Sequence, residues 1–547
     1  MGGSHVKFPV ERLILAHLWL AFGSFGVAAV MGAAQMLSRS PLTAPKEGAE
    51  AYFISVTAHG TLMAYVLPTL FAMGFGYFVA VTALDRPLPG RRWAWAGLWM
   101  ALAGTLMSVV TALLGDATVL YTFYPPLIGS PFYYVGLLLV VAASWIWVGL
   151  MIAAMLGWKR DNPGRPVPLA MFATVANAIL WLWTTGGVAV EILFQILPAA
   201  FGAADVVDVG LSRTLFSWTL HAIVYFWLLP AYIAFYTMLP QAAGGRLYSD
   251  TMGRVSFILF ILYSLPVGMH HLFMDPEHGS GFKFLQMMLT ALVTVPTLLT
   301  IFTISASLEI AGRLRGGQGL FGWIAKLPWD RPMVLAAGLG FVMLGFGGFG
   351  GLINMAYGMN AMIHNTSWVT AHFHLIFGGS VVIMYFAIAY EIMPKLVGRK
   401  ARSVRPMLTQ LWIWTIGIVV TTFPWHVLGL NGQPRRVTNF DYPMAELAYW
   451  NTWTLVSTAG GAVMLAGALL FVWNLATLFR GAPETDRGMV YAVAVHPPQR
   501  LPSALNGFAL WNGLLLFLMV VAYGYPIAQF FLIDVQPALI HRVDLGG

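Results

Sequence analysis

Thirteen apolar runs, each long enough to cross a bilayer, point this 547-residue chain toward one architecture, a bundle of membrane-spanning helices. A crossing needs about 20 mostly apolar residues, and in lipid a helix satisfies its own backbone N–H and C=O groups. The runs fall near 12–37, 52–84, 92–115, 131–157, 167–198, 211–241, 251–275, 281–312, 331–358, 365–395, 404–430, 446–480 and 504–534. Several exceed a straight crossing and are expected to tilt or to run past the bilayer. The first is long enough to span, so it is expected to be a helix of the bundle and not a removable leader. Charged residues make up 9% of the chain, whereas a soluble domain carries roughly 25%. No repeat, low-complexity tract or linker divides the sequence, so residues 1–547 read as a single all-α integral membrane domain.

Loop charge sets the orientation. Of 29 Lys and Arg, 22 fall at the N-terminus and in every second loop after it, and 7 on the opposite side. The side rich in Lys and Arg is cytoplasmic, which puts the N-terminus in the cytoplasm and the C-terminus outside. The same loops account for the net charge of +8 without a nucleic-acid partner. Absence of cysteine excludes disulfides, Fe–S clusters and thiolate-bound copper in this chain.

Six histidines interrupt the apolar runs: His59, His221, the adjacent His270 and His271, and His372 and His374 in Ala-His-Phe-His-Leu. An imidazole in such a setting is costly unless it is paired or metal-bound. The orientation puts His59, His221 and His372 roughly 10–15 Å below the outer end of their spans at ~1.5 Å per residue. His270 and His271 come near the outward end of the seventh run. A shared depth is unexpected for scattered core histidines. His372 and His374 are two residues apart and so point ~200° apart around one helix, which lets that helix hold a different heme on each face. His59 can complete one heme as its second axial ligand, giving a six-coordinate electron-transfer site. His221, His270 and His271 offer three imidazoles for a copper ion facing the open side of the other. Tyr225 follows His221 at i+4 and stacks on the same helix face, where a phenol can give a proton and an electron to bound oxygen. His17, His364 and His426 lack such partners and read as structural or as contacts to heme propionates.

At these residues the chain resembles the catalytic subunit of the heme–copper oxidases, and within them the B-type cytochrome c oxidases known from thermophilic bacteria. The resemblance covers nearly the whole chain. It includes Val119-Leu-Tyr-Thr-Phe-Tyr-Pro-Pro-Leu127, Phe226-Trp-Leu-Leu-Pro-Ala-Tyr232, Ala306-Ser-Leu-Glu309 with Ala311-Gly-Arg-Leu-Arg-Gly-Gly317, His364-Asn-Thr366 and Pro434-Arg-Arg436. It implies that His59 and His374 bind a low-spin heme, of b type, and that His372 binds a high-spin heme of a or b type. It implies that His221, His270 and His271 bind one copper ion (CuB), that Tyr225 is joined covalently to His221, and that Arg435 and Arg436 hold heme propionates. The implied reaction is reduction of oxygen to water with electrons from cytochrome c and protons from the cytoplasm, some of them pumped, in a bacterial or archaeal inner membrane. Without cysteine here, a partner subunit II must carry the dinuclear copper site; a small single-helix subunit and lipid complete the expected surroundings.

Two hydroxyl stripes fit a proton path: Tyr225, Tyr232 and Tyr236 at i, i+7 and i+11, and Thr290, Thr297 and Thr300 at i, i+7 and i+10, with Ser249 in the cytoplasmic loop. Such stripes also serve helix–helix hydrogen bonding. They match the single input channel of the B-type branch, and Ile223 stands where A-type enzymes carry a Glu. Three departures from the family pattern are Leu220 and Ala222 around His221, where Gly-His-Pro is usual, and Asn360 in place of an Asp near the propionates. The altered Leu-His-Ala favours one rival, a nitric oxide reductase on the same scaffold; a quinol oxidase is another. A proton-relaying transporter would put its polar groups at the midplane instead.

Overall fold

The computed structural model describes residues 10–43, 50–438, 446–533 and 537–543. Lys7 and Lys46, counted among the loop charges, and residue 534, the expected end of the last span, lie outside the described residues. Thirteen helices are long and apolar enough to cross a membrane. They are α1 (Glu11–Arg39), α2 (Glu50–Leu84), α3 (Arg91–Leu113), α4 (Pro131–Asp161), α5 (Leu169–Ala200), α6 (Val209–Thr237), α7 (Asp250–Leu272), α8 (Ser280–Leu314), α9 (Pro332–Met355), α10 (Ser367–Val397), α11 (Arg405–Leu430), α12 (Leu447–Arg480) and α13 (Ala509–Leu532). The expected runs match these to within a few residues. In α2 and α10, 89% of the apolar window is buried, against 33% in α8, α12 and α13, so α2 and α10 form the centre and the other three the rim.

Two expected straight runs are broken. The regular part of α7 stops at Ser264, before Pro266, and resumes as a 3-10 turn over Gly268–Leu272 that carries His270 and His271. Proline has no N–H to give the ladder and clashes with the preceding turn. α8 is two helical pieces, Ser280–Leu292 and Thr294–Leu314, with Pro296 just past the break.

Among the described residues three π-helical turns widen central helices: Leu62–Val66 in α2, Ile192–Ile196 in α5 and Phe377–Val382 in α10. Such turns concentrate at functional sites. Two of them have a carbonyl capped from outside, because the indole N–H of Trp227 donates to Ala64 O (2.9 Å) and that of Trp414 to Gly378 O (2.8 Å).

Each end of the bundle is crossed by a chain segment. On one end Leu127–Ile128 pairs with His541–Arg542 and Val206–Val207 with Ala538–Leu539, so the C-terminal segment ties together the α3–α4 and α5–α6 loops. This end, which the loop charges assign to the outside, is called the outer end below. On the other, Ala492 N donates to Thr237 O (2.7 Å) and Lys395 Nζ to Gly488 O (2.9 Å), laying the α12–α13 connection over the helix ends.

A buried guanidinium also fastens that second end. Arg254 on α7 is 1% exposed; it donates to Asp250 Oδ1 (2.6 Å), to Val167 O before α5 (2.5 Å) and to Leu505 O before α13 (3.4 Å). Removing one partner of a buried pair strands the other charge at a cost of about 3–5 kcal/mol. Asp250→Ala is therefore expected to lower the thermal midpoint of the detergent-solubilised protein sharply. Arg254→Met, which leaves no stranded cation, should lower it less. Equal midpoints for Asp250→Ala and the unmodified chain would show that the pair does not hold this end.

Candidate metal centre

Three imidazoles from two helices meet at the outer side of the core. His221 on α6 faces His270 and His271 on the 3-10 turn of α7, and one ligand nitrogen from each lies within 4.8 Å of the others. The Nε2 atoms of His221 and His271 are buried with no hydrogen-bond partner. The Nδ1–H of His270 donates to Val267 O, which leaves its Nε2 as a free lone pair. Three neutral imidazoles whose lone pairs lack protein partners are a donor set for a divalent or monovalent copper. Tyr225, one turn along α6, has its ring centroid 5.1 Å from that of His221.

What places the turn is a clip of small groups. Gly268 N donates to the Tyr523 hydroxyl on α13 (3.0 Å), and a Cβ at Gly268 would collide with Ser217 O on α6. The turn thus reaches α6 one helical turn before His221 only because residue 268 has no side chain.

The two histidines of α10 diverge, as their spacing requires. His374 stacks parallel to His59, with ring centroids 6.3 Å apart and planes 13° apart. That gap matches two metal–nitrogen bonds of about 2 Å with half a ring behind each. Both Nδ1–H groups are tied, His59 to Ala28 O on α1 (2.8 Å) and His374 to Thr370 O (2.8 Å), so the Nε2 atoms carry the lone pairs. Gly32 on α1 makes room, since a Cβ there would sit 3.0 Å from the His59 ring. His372 points the other way. Its Nδ1–H donates to Gly347 O on α9 (2.9 Å), Cβ atoms at Gly350 and Gly351 would press on its ring at 3.1 and 3.3 Å, and it interacts electrostatically with His221 and His270.

Toward the outer end lies an anion-seeking cluster. Arg435 N and Nη2 donate to the Asn365 backbone and side-chain oxygens (both 3.0 Å), while its Nε is buried without a partner. Burial, with Arg436 beside it, draws the Arg435 guanidinium down to about 9, still protonated at neutral pH. Arg39 Nη2 steadies the same loop by donating to Pro434 O (3.1 Å). Two adjacent guanidiniums fit a carboxylate. Burial also draws His364 down to about 4, with Arg435 and Arg213 adding to the effect, and its Nδ1 lies 3.2 Å from Asn360 Oδ1. Burial lifts the Asp275 carboxyl to about 6 although Arg213 pairs with it at 2.9 Å. The other two expected histidines are packed: His17 Nδ1–H donates to Leu13 O, and His426 Nδ1–H donates to Thr422 O with its ring against Trp368.

The hydroxyl stripes meet side by side. Tyr236 on α6 donates to Thr300 Oγ1 (3.1 Å) on α8 and reaches Ser256 Oγ (3.0 Å) on α7. The Tyr232 hydroxyl is buried beside Thr297 with no partner within 3.5 Å, and Thr290 Oγ1 lies 3.2 Å from His270 Nδ1. Thr297 spends its hydroxyl on Val293 O (3.5 Å). Ser249 is the N-cap of α7, where its hydroxyl accepts from Met252 N (3.2 Å) and keeps its own proton to donate. Ser256 was absent from the sequence expectation; a hydroxyl on the third helix of the trio would have signalled it. Leu220 is half-buried and packs against the apolar core.

Residues 12–463 match the family described as cytochrome c and quinol oxidase polypeptide I. The chain is 36% identical to cytochrome c oxidase subunit 1 of Thermus thermophilus, over 96% of this chain and 95% of that protein. It is 26% identical to cytochrome c oxidase subunit 1 of Thermostichus vulcanus, over 86% and 83%. A solved heme-copper terminal oxidase dimer superposes with a TM-score of 0.93 at 32% identity, covering 98% of this chain and 96% of that one.

Gly268→Ala is expected to displace the turn bearing His270 and His271 from α6 and to lower bound copper per protein, with the optical signature of the His59–His374 pair retained. Metal analysis beside the optical spectrum checks this. An unaltered copper content would show that some other contact sets the turn.

Proposed function

The chain belongs to the cytochrome c and quinol oxidase polypeptide I family, and we propose that it is the catalytic subunit of a terminal respiratory oxidase of a bacterial inner membrane, taking electrons from cytochrome c and reducing oxygen to water. The observation that carries this reading is the divergence of His372 and His374 from one helix, the first toward the three-imidazole cluster and the second onto His59. One helix thereby serves two metal groups of different kinds.

In this reading His59 and His374 hold a low-spin heme of b type, His372 holds a high-spin heme of a or b type, and His221, His270 and His271 hold one copper ion. When bound, these groups supply electron transfer and the chemistry of oxygen reduction. The protein's part is orientation, charge and protons. The backbone carbonyls of Ala28, Thr370, Gly347 and Val267 fix which imidazole nitrogen is free. Arg435 and Arg436 neutralise the propionates. Tyr225, beside His221, holds the proton that oxygen takes up, and is joined to that histidine as the family pattern implies. Ser249, Thr300, Tyr236, Thr297, Tyr232 and Thr290 lie along the inward route, with Ser256 added by its contact to Tyr236. Tyr232 lies beside Thr297, and a water at its hydroxyl would join the parts that do not touch. Driving each charge across 100 mV takes ~2.3 kcal/mol, which oxygen reduction supplies. This single hydroxyl line, with Ile223 after the copper histidine, supports the B-type branch. A chain without cysteine needs a partner subunit II for the dinuclear copper site that accepts electrons, and a single-helix subunit completes the complex.

Nitric oxide reduction is less well supported, since Tyr225 is retained and no carboxylate joins the three-imidazole cluster among the described residues. Turnover of oxygen against nitric oxide, with metal analysis for copper or iron, tests the choice. Nitric oxide turnover with iron in place of copper would overturn it.

His372→Ala is expected to abolish the CO-binding heme signal and leave the low-spin one, and His59→Ala to do the reverse. Loss of both signals together in either folded variant would contradict the assignment. Thr300→Val keeps the side-chain shape but removes the hydroxyl that accepts from Tyr236. Turnover at saturating oxygen should fall with both heme spectra normal, and an unchanged rate would reduce the stripe to packing.

A further inference from the structure

A second titratable group lies buried in the bundle, away from the histidines and the hydroxyl line. Glu191 ends the regular part of α5 and is fully buried, and neither carboxyl oxygen has a hydrogen-bond partner within 3.5 Å. No ion pair reaches it among the described residues. A charge in lipid-embedded protein without a partner is costly, so such a group persists where it serves a function and rests either protonated or on buried water. The buried hydroxyl of Ser212 on α6 lies beside it and is the hydrogen-bonding group that interacts with the carboxyl. Ser212 precedes His221 by nine residues, which puts the carboxyl about 13 Å from the copper cluster along α6, toward the outer end.

The backbone marks the same place. Of the three π-helical turns among the described residues, one begins three residues after His59 and one three residues after His374; the third, Ile192–Ile196, begins directly after Glu191. Tyr65, which interacts electrostatically with Glu191, lies inside the first of these turns. A widened turn therefore follows this carboxyl directly, as widened turns follow the histidines.

Three phenols lie within electrostatic reach of it. Tyr65, Tyr124 and Tyr134 all interact electrostatically with the carboxyl. The Tyr134 hydroxyl accepts from Gly129 N (3.0 Å) and so keeps its own proton to donate. Tyr124 also faces Arg436, and the Arg213 guanidinium lies 5.2 Å from its ring centroid. Arg213 in turn pairs with Asp275 (2.9 Å), in the loop that leads from His271 to the outer surface. The Tyr124 phenol thus stands between the buried carboxyl and the charged outer cluster.

We propose that Glu191 is a proton-binding site on the outer side of the metal centre, taking up a proton when the centre is reduced and returning it toward the outer surface past Tyr124. The step is the conversion of carboxylate to carboxylic acid and back, with no change in electron count. It rests on the oxidase reading above.

The test uses the purified complex with its metal groups and partner subunit. Infrared difference spectra between reduced and oxidised states are recorded in the protonated-carboxyl region, for the unmodified protein and for Glu191→Gln, Glu191→Asp and Tyr124→Phe. The expected result is a carboxyl band that is lost in Glu191→Gln and shifted in Glu191→Asp and Tyr124→Phe, with normal heme spectra throughout. If Glu191→Gln fails to assemble, the other two variants carry the assignment. A band unchanged in all assembled variants, or a carboxyl region without any redox band, would overturn the proposal. Oxygen uptake by the unmodified complex is measured alongside. Its absence would defeat the oxidase reading, whereas uptake with an unaltered band would defeat the assignment of Glu191 alone.

Discussion

For four of the six candidate ligand histidines, the Nδ1–H is spent on a backbone carbonyl, and the rest of the centre follows from that bond. An imidazole in an apolar interior must satisfy two nitrogens, and a carbonyl can only accept. Donation from His59 to Ala28, His374 to Thr370, His372 to Gly347 and His270 to Val267 therefore fixes the tautomer and turns each Nε2 lone pair inward. Two of these bonds cross between helices, from α2 to α1 and from α10 to α9. The same contacts that orient ligands thus hold the central helices in register.

Bonds of this kind require close backbone approach. Gly32 admits the His59 ring, Gly350 and Gly351 admit that of His372, and Gly268 lets the histidine turn lie on α6. The π-helical turns beside His59 and His374 are the complementary device. A widened turn leaves a carbonyl without its usual partner, and Trp227 and Trp414 from neighbouring helices cap two of them. Glycines and widened turns together explain why the most buried helices, α2 and α10, can carry polar groups at their centre.

The two ends of the bundle are chemically different. The outer end gathers Arg435, Arg436, Arg213, Asp275 and His364 close to the histidines, where anionic groups can be neutralised. The opposite end is fastened by Arg254 and the α12–α13 connection, and hydroxyls on α6, α7 and α8 lead from it toward Tyr225. In the proposed oxidase reading, charge and protons enter the metal centre from different sides. Such separation is what lets a redox reaction be coupled to a transmembrane potential.

Much was legible in the sequence because lipid imposes simple rules. Apolar length counted the thirteen helices, and apolar surroundings made the six histidines conspicuous. Helical spacing put His372 and His374 on opposite faces and Tyr225 beneath His221. The same rule, applied to acids, singles out Glu191, a lone carboxyl in the apolar stretch Val188-Ala-Val-Glu-Ile-Leu193. Spacing assumes a regular helix, so it could not show the breaks at Pro266 and Val293, which turn His270 and Thr290 toward each other. Nor could it show which carbonyl takes each Nδ1–H, that Ser256 faces Tyr236, or that Ser249 serves as a cap. Those contacts join residues up to dozens of positions apart, and only the packing of one helix against another decides them.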